Sequence, residues 1–241
     1  TTGVFTVDGG SLEHSSEVSV AKNGTLNLKD ATSSLKKLNG DGSVILNNTT
    51  LTIPGGDTVT DETASTFAGV ISEGAVNGAS GLLLQTQNSG SKFTLSGANT
   101  FSGKTEIDTG TLVLKNSRAL GEAGSVEFVN AGEGRLTLES TASGQAINVT
   151  LTKLEDLGNS VIDLGANTLT LATDIDTGNE DLGQVQGALK GTGTLRINSE
   201  STTDHFSIIS DAADFSGETK IEKGTLKLSD NGSIASSSKV T

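Results

Sequence analysis

The 241-residue chain contains no cysteine, methionine, tryptophan or tyrosine, and its single proline is Pro54. Without cysteine there is no disulfide framework and no thiolate chemistry, although a chain of this size can be stable without cross-links in either redox compartment. Seven phenylalanines are the only aromatics, and there are two histidines, His14 and His205. Lysine and arginine number 16 against 29 acids, for a net charge of −13. Scattered and outnumbered cations argue against nucleic acid or anionic membranes as partners. No apolar run approaches a bilayer span, so no membrane insertion of this segment is expected. The opening TTGVFTVDGG has neither a signal-peptide core nor an initiator methionine, and the closing SSSKVT ends on no finishing element. The expectation is an interior piece of a longer precursor. There is also no RGD tripeptide to suggest that route to integrins.

What is present is glycine, 31 of them, and short alternating segments that recur. Gly-Thr-Leu-x-Leu/Ile occurs at 24–28, 110–114, 193–197 and 224–228. Looser copies are GGSLEH (9–14), GSVIL (42–46), GSVEF (124–128) and GRLTL (134–138). Alternating segments of this length between Gly, Asn, Asp and Ser read as short strands between turns. One phrase, FSGKTEIDTGTLVL at 101–114, returns as FSGETKIEKGTLKL at 215–228 with nine of fourteen letters identical. Alternation places the shared Thr105/Thr219, Ile107/Ile221 and Leu112/Leu226 inward. The drifting letters fall outward: Lys104/Glu218, Glu106/Lys220, Asp108/Glu222 and Val113/Lys227.

Helical signals are few. DATSSLKKLNG (30–40) has the caps and the Leu35/Leu38 spacing for about two turns of helix. LTKLEDLG (151–158) places Leu151, Leu154 and Leu157 at threefold spacing. Both are expected to decorate corners. With few aromatics and few two-residue hairpin turns, a sandwich fits poorly. Phrases returning every 15–30 residues favour an all-β parallel solenoid of roughly ten coils, each about 20–25 residues, with inward ladders of Leu, Val, Ile and Phe. No composition break divides the chain, so residues 1–241 read as a single domain.

Residues 67–121, FAGVISEGAVNGASGLLLQTQNSGSKFTLSGANTFSGKTEIDTGTLVLKNSRALG, resemble the passenger-associated transport repeat of Gram-negative autotransporters. The resemblance rests on Phe-x-Gly-x-Ile-Ser, LSGANTFSG, GTLVL and the trailing ALG. Residues 188–234 resemble a degenerate second copy in which SDAADFSG replaces LSGANTFSG. The close likeness covers about a quarter of the chain and the weaker one about a fifth more. It implies a right-handed parallel β-helix, exported unfolded across the outer membrane and then secreted or displayed at the cell surface. It also implies a C-terminal translocator barrel in the precursor, absent from this segment. The implied role is adhesin-like, with a host-cell surface protein or receptor as partner. The alternative is a released passenger that acts as a ligand for a host receptor.

Chemical motifs are sparse. His205 follows Asp204 and serines abound, but no Ser-His-Asp set is written into the sequence. The Gly-Asp-Ser-Gly segment of protease passengers is replaced by GDGSV at 40–44, where Ser43 opens a strand pattern. The acidic DIDTGNED (174–181), with Asp174, Asp176, Glu180 and Asp181, has Val185 where a calcium loop needs its twelfth-position Glu. It reads as a solvated turn, as does PGGDTVTDE (54–62). No catalytic residue, cofactor or metal site is expected, and no partner-binding residue is assigned. The stretches that break the coil rhythm, 54–80, 151–160 and 174–190, are the first places to look for binding.

Overall fold

A computed structural model describes residues 2–29, 33–55, 64–74, 80–86, 88–121, 124–129, 133–156, 158, 160–173 and 181–241. The described elements are all strands, and every strand pair is parallel. The chain is a parallel β-solenoid of about nine turns, close to the ten expected. Each turn visits three faces in the same order. Face one begins with Gly3–Asp8, Gly24–Lys29, Ser43–Asn47 and Val70–Glu73, and resumes with Asn148–Leu151, Thr168–Leu171, Thr194–Asn198, Glu218–Lys223 and Lys239–Val240. Face two runs from Ser33–Ser34 to Thr225–Leu228, and face three from Val18–Val20 to Ala188–Lys190. The two are joined through one bent strand, Thr105–Leu114.

Alternation builds the core as ladders. On face three, Phe93, Leu112, Leu136, Ile162 and Leu189 lie in register on successive coils, each no more than 2% exposed. Burying each such side chain contributes roughly 1.5–3 kcal/mol. On face two the column runs Leu51, Leu82, Thr105, Val126, Leu154. Coil length varies more than the sequence suggests: Ser33 stacks on Leu51, 18 positions later, whereas Leu51 stacks on Leu82, 31 positions later. The stack absorbs the difference in loops at the corners.

Two corners explain the glycines of the repeated phrase. Gly110 (φ +90°) and Gly224 (φ +109°) occupy the left-handed region where the chain turns from one face to the next, which a side chain disfavours. Gly42, Gly69 and Gly97 form a column in which a Cβ on Gly97 would stand 1.8 Å from the Gly69 carbonyl oxygen.

Face one is interrupted where the LSGANTFSG and RALG segments pass. Asn99, fully buried, substitutes for strand pairing there. Its Oδ1 accepts the Ile71 N–H (2.8 Å), its Nδ2 donates to the Ala119 carbonyl (2.6 Å), and its N–H donates to the Arg118 carbonyl (2.9 Å). One side chain thereby satisfies backbone groups on the coils either side. Asn167 repeats the device where face one has resumed, accepting from Ile147 N–H (3.0 Å) and donating to the Leu138 carbonyl (2.7 Å).

Neither expected helix forms. Residues 33–40 are the strands Ser33–Ser34 and Leu38–Gly40, paired with Leu51–Ile53 and Val18–Val20; residues 30–32 lie outside the described set. In LTKLEDLG, Leu151 ends a face-one strand and Leu154 lies in the face-two strand Lys153–Asp156, both fully buried; Leu157 is outside the described residues. The chain turns a corner between them, so a three-residue spacing sends both leucines inward from adjacent faces. Two outward or inward assignments also change. Val113 is 3% exposed rather than solvated, because it sits mid-face between Thr94 and Thr137 in register, and β-branched neighbours pack laterally along a sheet. Leu228, placed inward by the same alternation as Leu226, is 49% exposed, because Thr225–Leu228 pairs with His205–Ile208 on one side and, among the described residues, with no strand on the other.

Candidate functional site

The two histidines stand in different settings, each near one acid. His14 stands in solvent, with Nε2 3.3 Å from Glu13. His205 opens the strand His205–Ile208, its Nε2 3.8 Å from Asp181 Oδ1. Asp204 beside it is fully buried and turns away: its Oδ2 accepts the Thr173 hydroxyl (2.9 Å) and the Ser199 hydroxyl. This carboxylate ties a corner together. Ser43 lies in the strand Ser43–Asn47, in register with Thr25 and Val70. Of the acidic turn, residues 174–180 lie outside the described set, and Asp181 accepts the Gly183 N–H (2.9 Å). Among the described residues no three His, Asp or Glu side chains gather as a metal site would require.

The outward faces differ in how they handle charge. On face two, Lys104 Nζ lies 2.6 Å from Glu106 and 2.9 Å from Glu127, and Lys153 pairs with Glu155. Hydrogen bonds to Glu106 and then Glu127 hold the Lys104 ammonium above the usual lysine range. On face one, Glu222 lies between Lys220 (2.6 Å) and Arg196, whose hydrogen bonds keep its carboxyl below the usual range. At the edge of the face-one interruption, Glu73 Oε1 accepts the Ser80 N–H (2.8 Å), the Ser102 hydroxyl (2.8 Å) and the Ser102 N–H (3.0 Å). Partial burial works to raise its pKa, but these donors together outweigh it and leave the carboxyl below its ordinary value.

Face three is different. Its outward column reads Ala64, Lys92, Thr111, Arg135, Val161, Ala188 on successive coils. Lys92 and Arg135 are exposed and, among the described residues, make no ion pair. Between them Thr111 is buried, and the turn at Asn88–Gly90 stands beside them as a wall. Together they bound an open groove of about 630 Å³ that continues to Asp163 and Lys190. Asp163 Oδ1 is turned onto its own Gly165 N–H (2.8 Å), and Lys190 Nζ lies 2.9 Å from Asp214.

Residues 86–114 and 190–228 match the passenger-associated-transport-repeat family. The first match contains the strands Lys92–Leu95 and Thr105–Leu114 with Asn99 between them. Over 96% of its length the chain is also 30% identical to the adhesin BmaC autotransporter of Brucella suis biovar 1 (strain 1330). The chain is an autotransporter passenger bearing these repeats. It spans only 7% of that relative's length. No solved structure matches the chain. As an autotransporter passenger it is secreted or displayed at the Gram-negative cell surface.

The three stretches singled out by rhythm are described only in part. Within 54–80, the described part holds the strands Ala64–Phe67 and Val70–Glu73, with 56–63 and 75–79 outside the described residues. Within 151–160, buried Asp156 accepts the N–H groups of Gly158, Gln186 and Gly187 and locks a turn. Within 174–190 of the passenger, the described part is two strands, Asp181–Val185 and Ala188–Lys190, with a register irregularity between Asp181 and Gln184; 174–180 lie outside the described residues. Among the described residues, the groove meets these stretches only at Lys190. Its signal in the sequence was the outward cation in KFTL and GRLTL, which reads as ordinary surface charge until the coils are stacked.

Proposed function

We propose that this passenger is a non-enzymatic adhesive segment that binds a component of the host-cell surface from outside the bacterium. The observation carrying this reading is the similarity over 96% of the chain to an autotransporter whose name is adhesin. The inward-turned Asp204 supports the non-enzymatic part, since its carboxylate is held by the Thr173 and Ser199 hydroxyls. Residues 1–241 are read as a single β-helix domain within a longer precursor that supplies a C-terminal translocator barrel. The test is adhesion of beads coated with the purified chain to cultured host cells, compared with albumin-coated beads. Adhesion of the coated beads supports the reading. No excess adhesion, together with receptor phosphorylation triggered by the soluble chain at nanomolar concentration, replaces it with a released ligand.

A further inference from the structure

We infer that the face-three groove binds an extended acidic polysaccharide carrying one carboxylate per disaccharide, lying along the solenoid axis. The inference rests on the adhesive reading for the source of the polymer, the host-cell surface, and on the groove for its chemistry.

The first argument is charge. In a chain of net charge −13, Lys92 and Arg135 are cations that no acid among the described residues neutralises, and they share one column. Salt screens charges beyond about 8–10 Å, so acids on the other faces do not cancel them at the groove. On faces one and two Lys104, Lys153 and Lys220 are held by Glu106, Glu127, Glu155 and Glu222, and Lys29 and Lys227, unpaired among the described residues, stand singly, on different faces.

The second argument is spacing. Lys92 and Arg135 stand two coils apart in one column; Lys190, two coils beyond Arg135 in the neighbouring column, is already paired with Asp214 and bounds the groove. With strands about 4.7–4.9 Å apart, each step along the axis is about 10 Å. A sugar polymer with an acid on every second ring has a long period of this kind. An extended acidic peptide does not, since its same-face side chains recur every ~6.6–6.8 Å. A peptide also binds sheets by adding to an edge, whereas this groove crosses the middle of a face. Single-stranded nucleic acid needs stacking aromatics, and none of the described residues lining the groove is aromatic.

The third argument is the lining. Thr111, Thr137, Asn88 and Ser89 bring hydroxyl and amide groups to the groove, which suits sugar hydroxyls. Asp163, already occupied by the Gly165 N–H, marks where the anionic groups do not sit.

The experiment is calorimetric titration of the whole chain with hyaluronan, with dextran and poly-glutamate as probes of neutral sugar and acidic peptide. Hyaluronan is expected to bind, and to bind less tightly as salt rises. Lys92→Ala and Arg135→Ala should each weaken it about threefold and the double variant about tenfold. Lys227→Ala, removing an unpaired cation on face two, should change nothing. All three sites are exposed, and unchanged circular dichroism checks that the fold is kept. Absence of hyaluronan binding, equal binding of dextran or poly-glutamate, or an undiminished double variant overturns the proposal. The bead assay separates the two claims. Coated beads that adhere without hyaluronan binding remove the groove and leave the adhesive reading, while beads that fail to adhere remove the adhesive reading whatever the titration gives.

Discussion

The phrase at 101–114 and its copy at 215–228 share nine letters but lie on different faces of the solenoid. In the first copy Thr105–Ile107 pairs on face two, and 110–114 continue onto face three as one bent strand. In the second, Glu218–Lys223 lies on face one and Thr225–Leu228 on face two. Gly110 and Gly224 make the same left-handed corner at different edges of the triangle. Phe101 and Phe215 are both buried ahead of it, and Thr105 and Thr219 both sit in core columns. The phrase therefore encodes a corner and its two flanking strands, and the coil register decides which corner it becomes.

The first copy has coils on both sides, and Leu114 is fully buried; its counterpart Leu228 is half exposed. Leu114→Ala should cost roughly 2–5 kcal/mol, read as a lowered urea midpoint, against less than about 1 kcal/mol for Leu228→Ala. Equal losses would mean that something covers the second copy in solution.

The turns ahead of the two phenylalanines differ next. Asn99 joins Ile71 and Ala119, whereas its counterpart Ala213 is exposed. Around Ala213 the backbone satisfies itself, with Ala212 N–H donating to Ser233 O and Phe215 N–H to Ala212 O. Asn99→Ala should cost about 2–4 kcal/mol by stranding two buried backbone groups. Ala213→Asn should stay within about 0.5 kcal/mol.

The first copy alone should be acid-sensitive through this turn. Ser102 is held by the Glu73 carboxylate, whereas Ser216 donates its N–H to the Gly191 carbonyl. Because the Glu73 pKa is lowered in the folded chain, its stabilisation is complete above the unfolded value of about 4.3 and fades as pH falls through the native value. Glu73→Gln should cost about 1 kcal/mol at neutral pH, and the gap to the parent should close as pH falls through the lowered native value. Hydrogen exchange at Ser102 and Ser216 across that range reads both turns at once.

The smallest effects should have opposite signs. The Thr105 hydroxyl is buried without a partner among the described residues, while the Thr219 hydroxyl lies 3.0 Å from Ser237 Oγ. Thr105→Val should stabilise by up to about 1 kcal/mol and Thr219→Val destabilise by a similar amount. A shared sign would show that the two core threonines are equivalent after all.

Strand content, parallel coiling and most inward positions were legible because a period of two and recurring glycine turns leave a direct trace in the letters. LTKLEDLG misled because a solenoid corner imitates helical spacing at Leu151 and Leu154. The groove was not legible, since Lys92 and Arg135 are 43 positions apart and become neighbours in a column only when coils of unequal length come into register. By itself the sequence determined which side of each strand faces the core, because alternation is local. Only the stacking decided which face each phrase occupies, which leucine is covered and which cations stand without an acid, because those depend on loop lengths summed over whole coils.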